Sequence, residues 1–293
     1  MELREIFFTG ANLRDTYDTI HHVRKAQALS VGQGVKVGII DWLFACDHYP
    51  ALYAGCADIS GEPALLRQAD GHGRWMAETI REIAPGCCIF AINGVVYDEA
   101  RPERRIACLE RAVDWAIEQG LEVLTYSHPA FEGEDQIRAD RAVEKAARAG
   151  IVTTFLHNDS PFNLFPYGCL PFSGGSFRRE PDIRIYHFDY AVLLLSVYER
   201  YVERGREVKS GNDLPYFSFS SMSVVLGGFV AMMKALRPAL TAGECRDILQ
   251  KTSYDIPEPG SQWYEPGGCG RVADIDRALS LLWWEGTERE AGF

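Results

Sequence analysis

Short apolar runs alternate along the chain with longer stretches whose apolar positions recur at helical spacing. Residues 35–40, VKVGII, form a run too short for a helix and preceded by glycines. Such a run fits a strand buried on both faces, as in the middle of a parallel sheet. Residues 89–92, 123–126 and 151–155 have the same character. Between them, Ile106, Leu109, Val113 and Ile117 repeat at helical spacing before Gly120, and residues 142–149 continue a second helix that stops at Gly150. Residues 75–83 carry a helical pattern, and residues 224–236 read as a buried helix containing Gly227 and Gly228 and ending near Lys234 and Arg237. Thr241 followed by Glu244 predicts a capping box that opens another helix, and residues 276–284 predict a short last one. Strand and helix in alternation imply an α/β fold with a mostly parallel central sheet and helices on both faces.

Composition narrows the class without naming an activity. A chain of 293 residues buries a substantial core, so a single domain spanning residues 1–293 is expected. Hydrophobic residues make up 47% and charged residues 24%, an ordinary globular balance. The formal net charge of -11 argues against a nucleic-acid surface, which needs a positive footprint. No run approaches the length of a membrane span. The opening MELREIFFTG has acidic residues where a secretory leader needs a basic region, and a cytoplasmic location is expected. Eight cysteines in a chain of this size then read as reduced thiols, most of them small buried hydrophobes. None has C-x-x-C spacing, and Cys87 and Cys88 would face opposite sides of a strand, so no metal site is expected there. Residues 178–214 read as a divergent or inserted segment. Oligomeric state is left open.

Four polar residues stand where chemistry is possible. Asp41 ends the first apolar strand, and in open α/β sheets functional groups gather at the carboxyl ends of strands; a turn or capping aspartate is as good a reading on position alone. His72 lies in Asp70-Gly-His-Gly73, where flanking glycines allow a tight turn and an accessible imidazole; a loop histidine with no role in catalysis is the commoner case. Ser221 opens the apolar helix, where a serine is usually a cap but where backbone N–H groups also suit a developing oxyanion. Asn158 follows the fourth strand, and its amide suits either an oxyanion or a turn.

Taken in order, these segments resemble the subtilisin-like serine proteases across nearly the whole chain. GVKVGIID, residues 34–41, is similar to the family's first strand and catalytic aspartate, and DHYPAL, residues 47–52, to its His-Pro-x-Leu loop. GHGRWMA, residues 71–77, resembles the His-Gly-Thr-His-Val-Ala motif, and Ile83-Ala-Pro-Gly86 the Val-Ala-Pro turn. Residues 149–158 look like the strand leading to the oxyanion asparagine, Ser220-Ser-Met-Ser223 like Thr-Ser-Met-Ala, and residues 268–273 like Gly-x-Gly-x-Val. The resemblance implies a subtilisin-like fold and peptide-bond hydrolysis through an acyl-enzyme, with Asp41, His72 and Ser221 as triad and Asn158 in the oxyanion hole. It also implies a peptide or protein substrate, narrow or dedicated in range, paired as an added strand against Thr125, Tyr126 and Ser127. No cofactor is implied. The family's calcium loop after the catalytic histidine has no room here, so that metal site is expected to be missing, and no inhibitory pro-domain is expected either.

Departures cluster beside the same residues. Asp-Thr-Gly is Asp41-Trp-Leu43, Ser-Leu-Gly of the substrate strand is Ser127-His-Pro129, and the Gly-Asn pair is His157-Asn158. Arg74 and Trp75 replace the threonine and second histidine after His72, and residues 224–226 replace Ser-Pro-His. These changes keep open an alternative, a scaffold that binds a peptide or partner without cutting it. A nucleotide-binding α/β protein is a poorer reading, because Gly32 and Gly34 precede their strand and no G-x-G-x-x-G follows.

Overall fold

The computed structural model describes residues 21–96, 98, 100–101, 103–164, 166–167, 183–184, 219–255 and 271–290. Its centre is a five-stranded parallel sheet of β1 (Lys36–Asp41), β2 (Gly55–Asp58), β3 (Cys88–Asn93), β4 (Val123–Tyr126) and β5 (Val152–Phe155), in the spatial order β2-β3-β1-β4-β5. The helices around it are α1 (Val23–Ala26), α2 (Pro63–Arg67), α3 (His72–Ile83), α4 (Glu103–Glu118), α5 (Gly133–Arg148), α6 (Phe219–Leu236), α7 (Ala242–Thr252) and α8 (Ile275–Glu290). Two-residue strands β6 (Pro166–Tyr167), β7 (Ile183–Arg184), β8 (Tyr254–Asp255) and β9 (Arg271–Val272) form a small second sheet in the order β6-β7-β9-β8.

Side-chain alternation on β1 divides the interior into two cores. Val37 and Ile39 face a core with Met76, Ile80 and Ile83 of α3 and Leu226 and Phe229 of α6. Ile40 faces the other core, with Ile106, Leu109 and Val113 of α4 and Ala139 and Val143 of α5. A strand buried on both faces has no reason to alternate polar with apolar, which is why VKVGII reads as one continuous run.

The two adjacent glycines of α6 have separate packing duties. A Cβ at Gly227 would lie 2.6 Å from Thr125 Cγ2 on β4, and one at Gly228 would lie 2.7 Å from Ile83 Cγ2 on α3. The helix therefore presses against the sheet on one side and against α3 on the other, at distances a side chain would prevent. Lys234, near its end, is buried, and its Nζ donates to the carbonyls of Leu240 and Gly150.

Most elements expected from sequence are present, with shifted ends. The capping box forms as expected, Thr241 Oγ1 accepting from Glu244 N while Thr241 N donates to the Glu244 carboxylate. β2 and α2 were not expected: each is short, largely unburied and without a sustained period. Residues 178–214 lie outside the described residues except for β7. Among the described residues, no helix is long and apolar enough to cross a membrane.

Gly227→Ala should lower stability by about 1–3 kcal/mol, since Thr125 is a β-branched residue in a central strand and cannot swing aside. Chemical denaturation of the variant beside the wild type checks this, with an unchanged m-value showing that the native state is the one affected.

Candidate active site

Asp41 is the last residue of β1 and has no solvent exposure. His72 is the first residue of α3, and backbone bonds bring the two together. Helix α3 has no side-chain cap at its start. Its first N–H groups are instead taken by the chain just after Asp41: Gly73 N donates to Trp42 O at 2.8 Å and Arg74 N to Leu43 O at 3.3 Å. Orphan donors of a helix N-terminus thus serve as the docking contact. His72 Nδ1 lies 2.8 Å from both carboxylate oxygens of Asp41.

Both flanking glycines of His72 have a role other than the expected tight turn. Gly71 has φ 165°, extended backbone. A Cβ at Gly73 would lie 2.5 Å from Trp42 O, so a side chain there would push the helix away from the strand end. The imidazole is also less accessible than expected, with the side chain 14% exposed.

Ser221 occupies the first turn of α6 and is buried. Its neighbours are pinned to the ends of β4 and β5 by two reciprocal pairs of hydrogen bonds. Ser220 Oγ donates to Ser127 O (3.1 Å) while Ser127 Oγ donates to Ser220 O (2.9 Å). Ser223 Oγ donates to Thr154 O (2.6 Å) while Thr154 Oγ1 donates to Ser223 O (2.8 Å). Helices α3 and α6, whose first turns carry His72 and Ser221, pack against each other on the same face of the sheet.

Asn158 follows β5 and is nearly buried. One amide N–H donates to Asp140 Oδ1 of α5 at 3.2 Å, and its Oδ1 accepts from Ser160 N. A primary amide carries two N–H groups, so one is committed to this tether. Asn163 fastens the same loop, its Nδ2 donating to the carbonyls of Phe155 and Asn158. Beside Asn158 lies a small cavity of about 10 Å³ whose lining includes Tyr126, Pro129, Phe131, Phe155 and His157.

The expected substrate edge needs revision. Thr125 and Tyr126 sit inside the sheet, paired with β1 on one side and β5 on the other, and both are buried. An added strand would find no free edge at these two residues. Ser127 lies just past the paired register, so any such edge begins there.

Electrostatics follow from burial. For Asp41 the largest influence is burial, which would raise its pKa; the charges and hydrogen bonds of His72 and His128 together outweigh it and hold the carboxyl below its ordinary range. For His72 burial pulls the pKa down, but the Asp41 charge and hydrogen bond carry it above the ordinary 6.5. The thiols of Cys46, Cys87 and Cys245 are pushed up to about 12 by burial, as expected of inert core cysteines.

Asp140 and Asn163 carry no signal in the sequence, and His128, which the sequence marks only as a residue that could shape the cleft, sits on Asp41 itself. His128 is 5% exposed, and its Nε2 lies 3.1 Å from Asp41 Oδ1. Ligand-type atoms of Asp41, His72 and His128 fall within 4.8 Å of one another, a donor set a borderline cation such as Zn²⁺ uses. Ligands around tetrahedral zinc stand roughly 3.4 Å apart, from bond lengths of about 2.0–2.1 Å. The observed 2.8 and 3.1 Å contacts are shorter, and the 2.8 Å one fits a shared proton better.

Among the described residues four other than glycine have left-handed backbone, and two of them adjoin the site: Leu43 with φ 60° and His157 with φ 57°. These are the positions at which the resembled motifs carry glycine, in Asp-Thr-Gly and Gly-Asn.

No family model matches the sequence. Subtilisin DY of Bacillus licheniformis is 27% identical over 130 residues, 41% of this chain and 46% of that protein, so the match spans about half of its length. MycP1, solved with its N-terminal propeptide removed, superposes with a TM-score of 0.62 at 17% identity, covering 91% of this chain and 96% of that one. A lanthipeptide protease gives 0.61 at 16% identity, covering 90% and 97%.

Replacing His157 by glycine removes the left-handed penalty and should raise stability by up to about 1 kcal/mol, read as a shift in urea midpoint. The Asp41–His72 pair gives a second test. His72 binds its proton more tightly folded than unfolded, so its stabilisation is complete below pH 6.5 and fades as pH rises through the folded value. The gap in urea midpoint between wild type and His72→Gln should accordingly be larger at pH 5 than at pH 9.

Proposed function

We propose that this chain, a divergent relative of the subtilisin-like proteases with their fold, is a serine endopeptidase that works through an Asp41–His72–Ser221 triad. The observation carrying this reading is the buried Asp41–His72 pair at the carboxyl edge of the sheet, on a helix packed against the one that presents Ser221. An aspartate that keeps a histidine's pKa raised holds that imidazole in one orientation and stabilises its protonated form.

In the proposed mechanism Ser221 Oγ attacks the scissile carbonyl and His72 accepts its proton. The imidazolium, stabilised by Asp41, then protonates the leaving amine, and water hydrolyses the acyl-enzyme by the reverse sequence of transfers. Oxyanion donors would be the backbone N–H of Ser221, in a helical turn whose N–H groups lack intrahelical partners, and the second amide N–H of Asn158. Substrate backbone would pair from Ser127 onward, where Pro129 offers an acceptor but no donor. Resemblance in fold to a lanthipeptide protease, together with the altered residues around the triad, supports a dedicated peptide or protein substrate over general digestion. A cytoplasmic location belongs to the same proposal and rests on sequence.

Labelling with a fluorophosphonate probe tests the nucleophile. Wild type should label covalently and Ser221→Ala should not, with matching circular dichroism showing both folded. Failure of the wild type to label at any pH between 6 and 9 would turn the assignment toward a peptide-binding scaffold.

A further inference from the structure

We propose that His128 is a positioning residue of the catalytic site, a second imidazole on Asp41 that orients the carboxylate and divides its charge with His72. This inference rests on the protease reading above and adds to it a residue outside the triad.

Asp41 is surrounded by donors. Its Oδ1 accepts from Trp42 N at 2.8 Å, His72 Nδ1 spans both oxygens at 2.8 Å, and His128 Nε2 approaches Oδ1 at 3.1 Å. A fully buried carboxylate needs such a set, because each lone pair left without a donor inside the protein is costly. Trp42 N comes from the residue next in sequence and His72 is the group to be oriented. His128 is the polar group that arrives from another strand end, just past β4, and so its close contact ties the carboxylate to the rest of the sheet.

The imidazole of His128 is held on several sides. Its ring centroid lies 5.4 Å from those of both His72 and Tyr126, and its side chain is 5% exposed. Among the described residues, the titratable groups against it include Asp41 from β1, His72 from α3 and Tyr126 from β4. Two imidazoles against one buried carboxylate compete for it, since whatever share of the negative charge one takes is denied to the other. Removing His128 leaves the whole charge to His72, and the protonated form of His72 becomes easier to reach.

The experiment uses two variants, His128→Leu, which has no polar atom, and His128→Gln, which keeps a polar amide in place of the ring. Both are first shown to be folded by circular dichroism and thermal melting. The rate of fluorophosphonate labelling, and kcat/KM on a cleaved peptide once one is found, are then followed from pH 5 to 9. His128→Leu should label roughly 10-fold more slowly at neutral pH, the loss expected when a buried carboxylate is deprived of a polar neighbour. Its acid limb should move to higher pH, and His128→Gln should recover most of the rate. A folded His128→Leu with the wild-type rate and pH profile would overturn the assignment. So would equal loss in both variants with an unmoved acid limb, since a purely structural role predicts that pattern. Wild-type labelling is the common control: its absence would count against the protease reading, whereas its presence with unaffected variants would count against His128 alone.

Discussion

The site depends on how α3 is capped. Helices begin with several N–H groups that have no partner inside the helix, and most proteins satisfy them with a serine, threonine or aspartate side chain. Here the carbonyls of Trp42 and Leu43 do so, directly after Asp41 at the end of β1. One arrangement therefore satisfies the helix start and sets His72 against Asp41. The distance between the two side chains is then fixed by backbone hydrogen bonds and by a glycine that permits the approach, not by the flexible side chains alone. A second anchoring of the same kind holds α6, through the reciprocal bonds of Ser220 with Ser127 and Ser223 with Thr154. Both helix starts are tied to strand ends of one sheet, so the sheet acts as the common frame for residues far apart in sequence.

Continuous apolar runs and helical periods made the architecture legible in the sequence. The runs at 123–126 and 151–155 and the Thr241–Glu244 cap correspond closely to what forms. What escaped had a physical reason. β2 is held at the sheet edge with little burial, and the first half of α5 is polar because it lies toward solvent. Asp41, His72, Ser221 and Asn158 were each ambiguous alone and gained meaning only from their order and motif context. Thr125 and Tyr126 show the limit of that method: motif alignment finds a strand, but which side of it is open depends on the neighbours β1 and β5. The sequence marks His128 as a residue of the cleft but not its contact with Asp41, which joins two strand ends adjacent in space and 87 residues apart.

Charge within the site is concentrated on a single buried carboxylate. Burial alone would favour its neutral form, and the surrounding donors reverse that preference. A buried charge held in this way is an oriented field, ready before substrate arrives, and little of it has to be rearranged during proton transfer.

Leu43 and His157 keep the left-handed turns that glycine would adopt freely. Here the surrounding hydrogen bonds, not the residue at the turn, dictate the path of the chain. A backbone held this way can dispense with glycine at such turns. That is a physical reason why 91% of the chain can superpose on MycP1 at 17% identity: the same course of backbone can be written in very different letters.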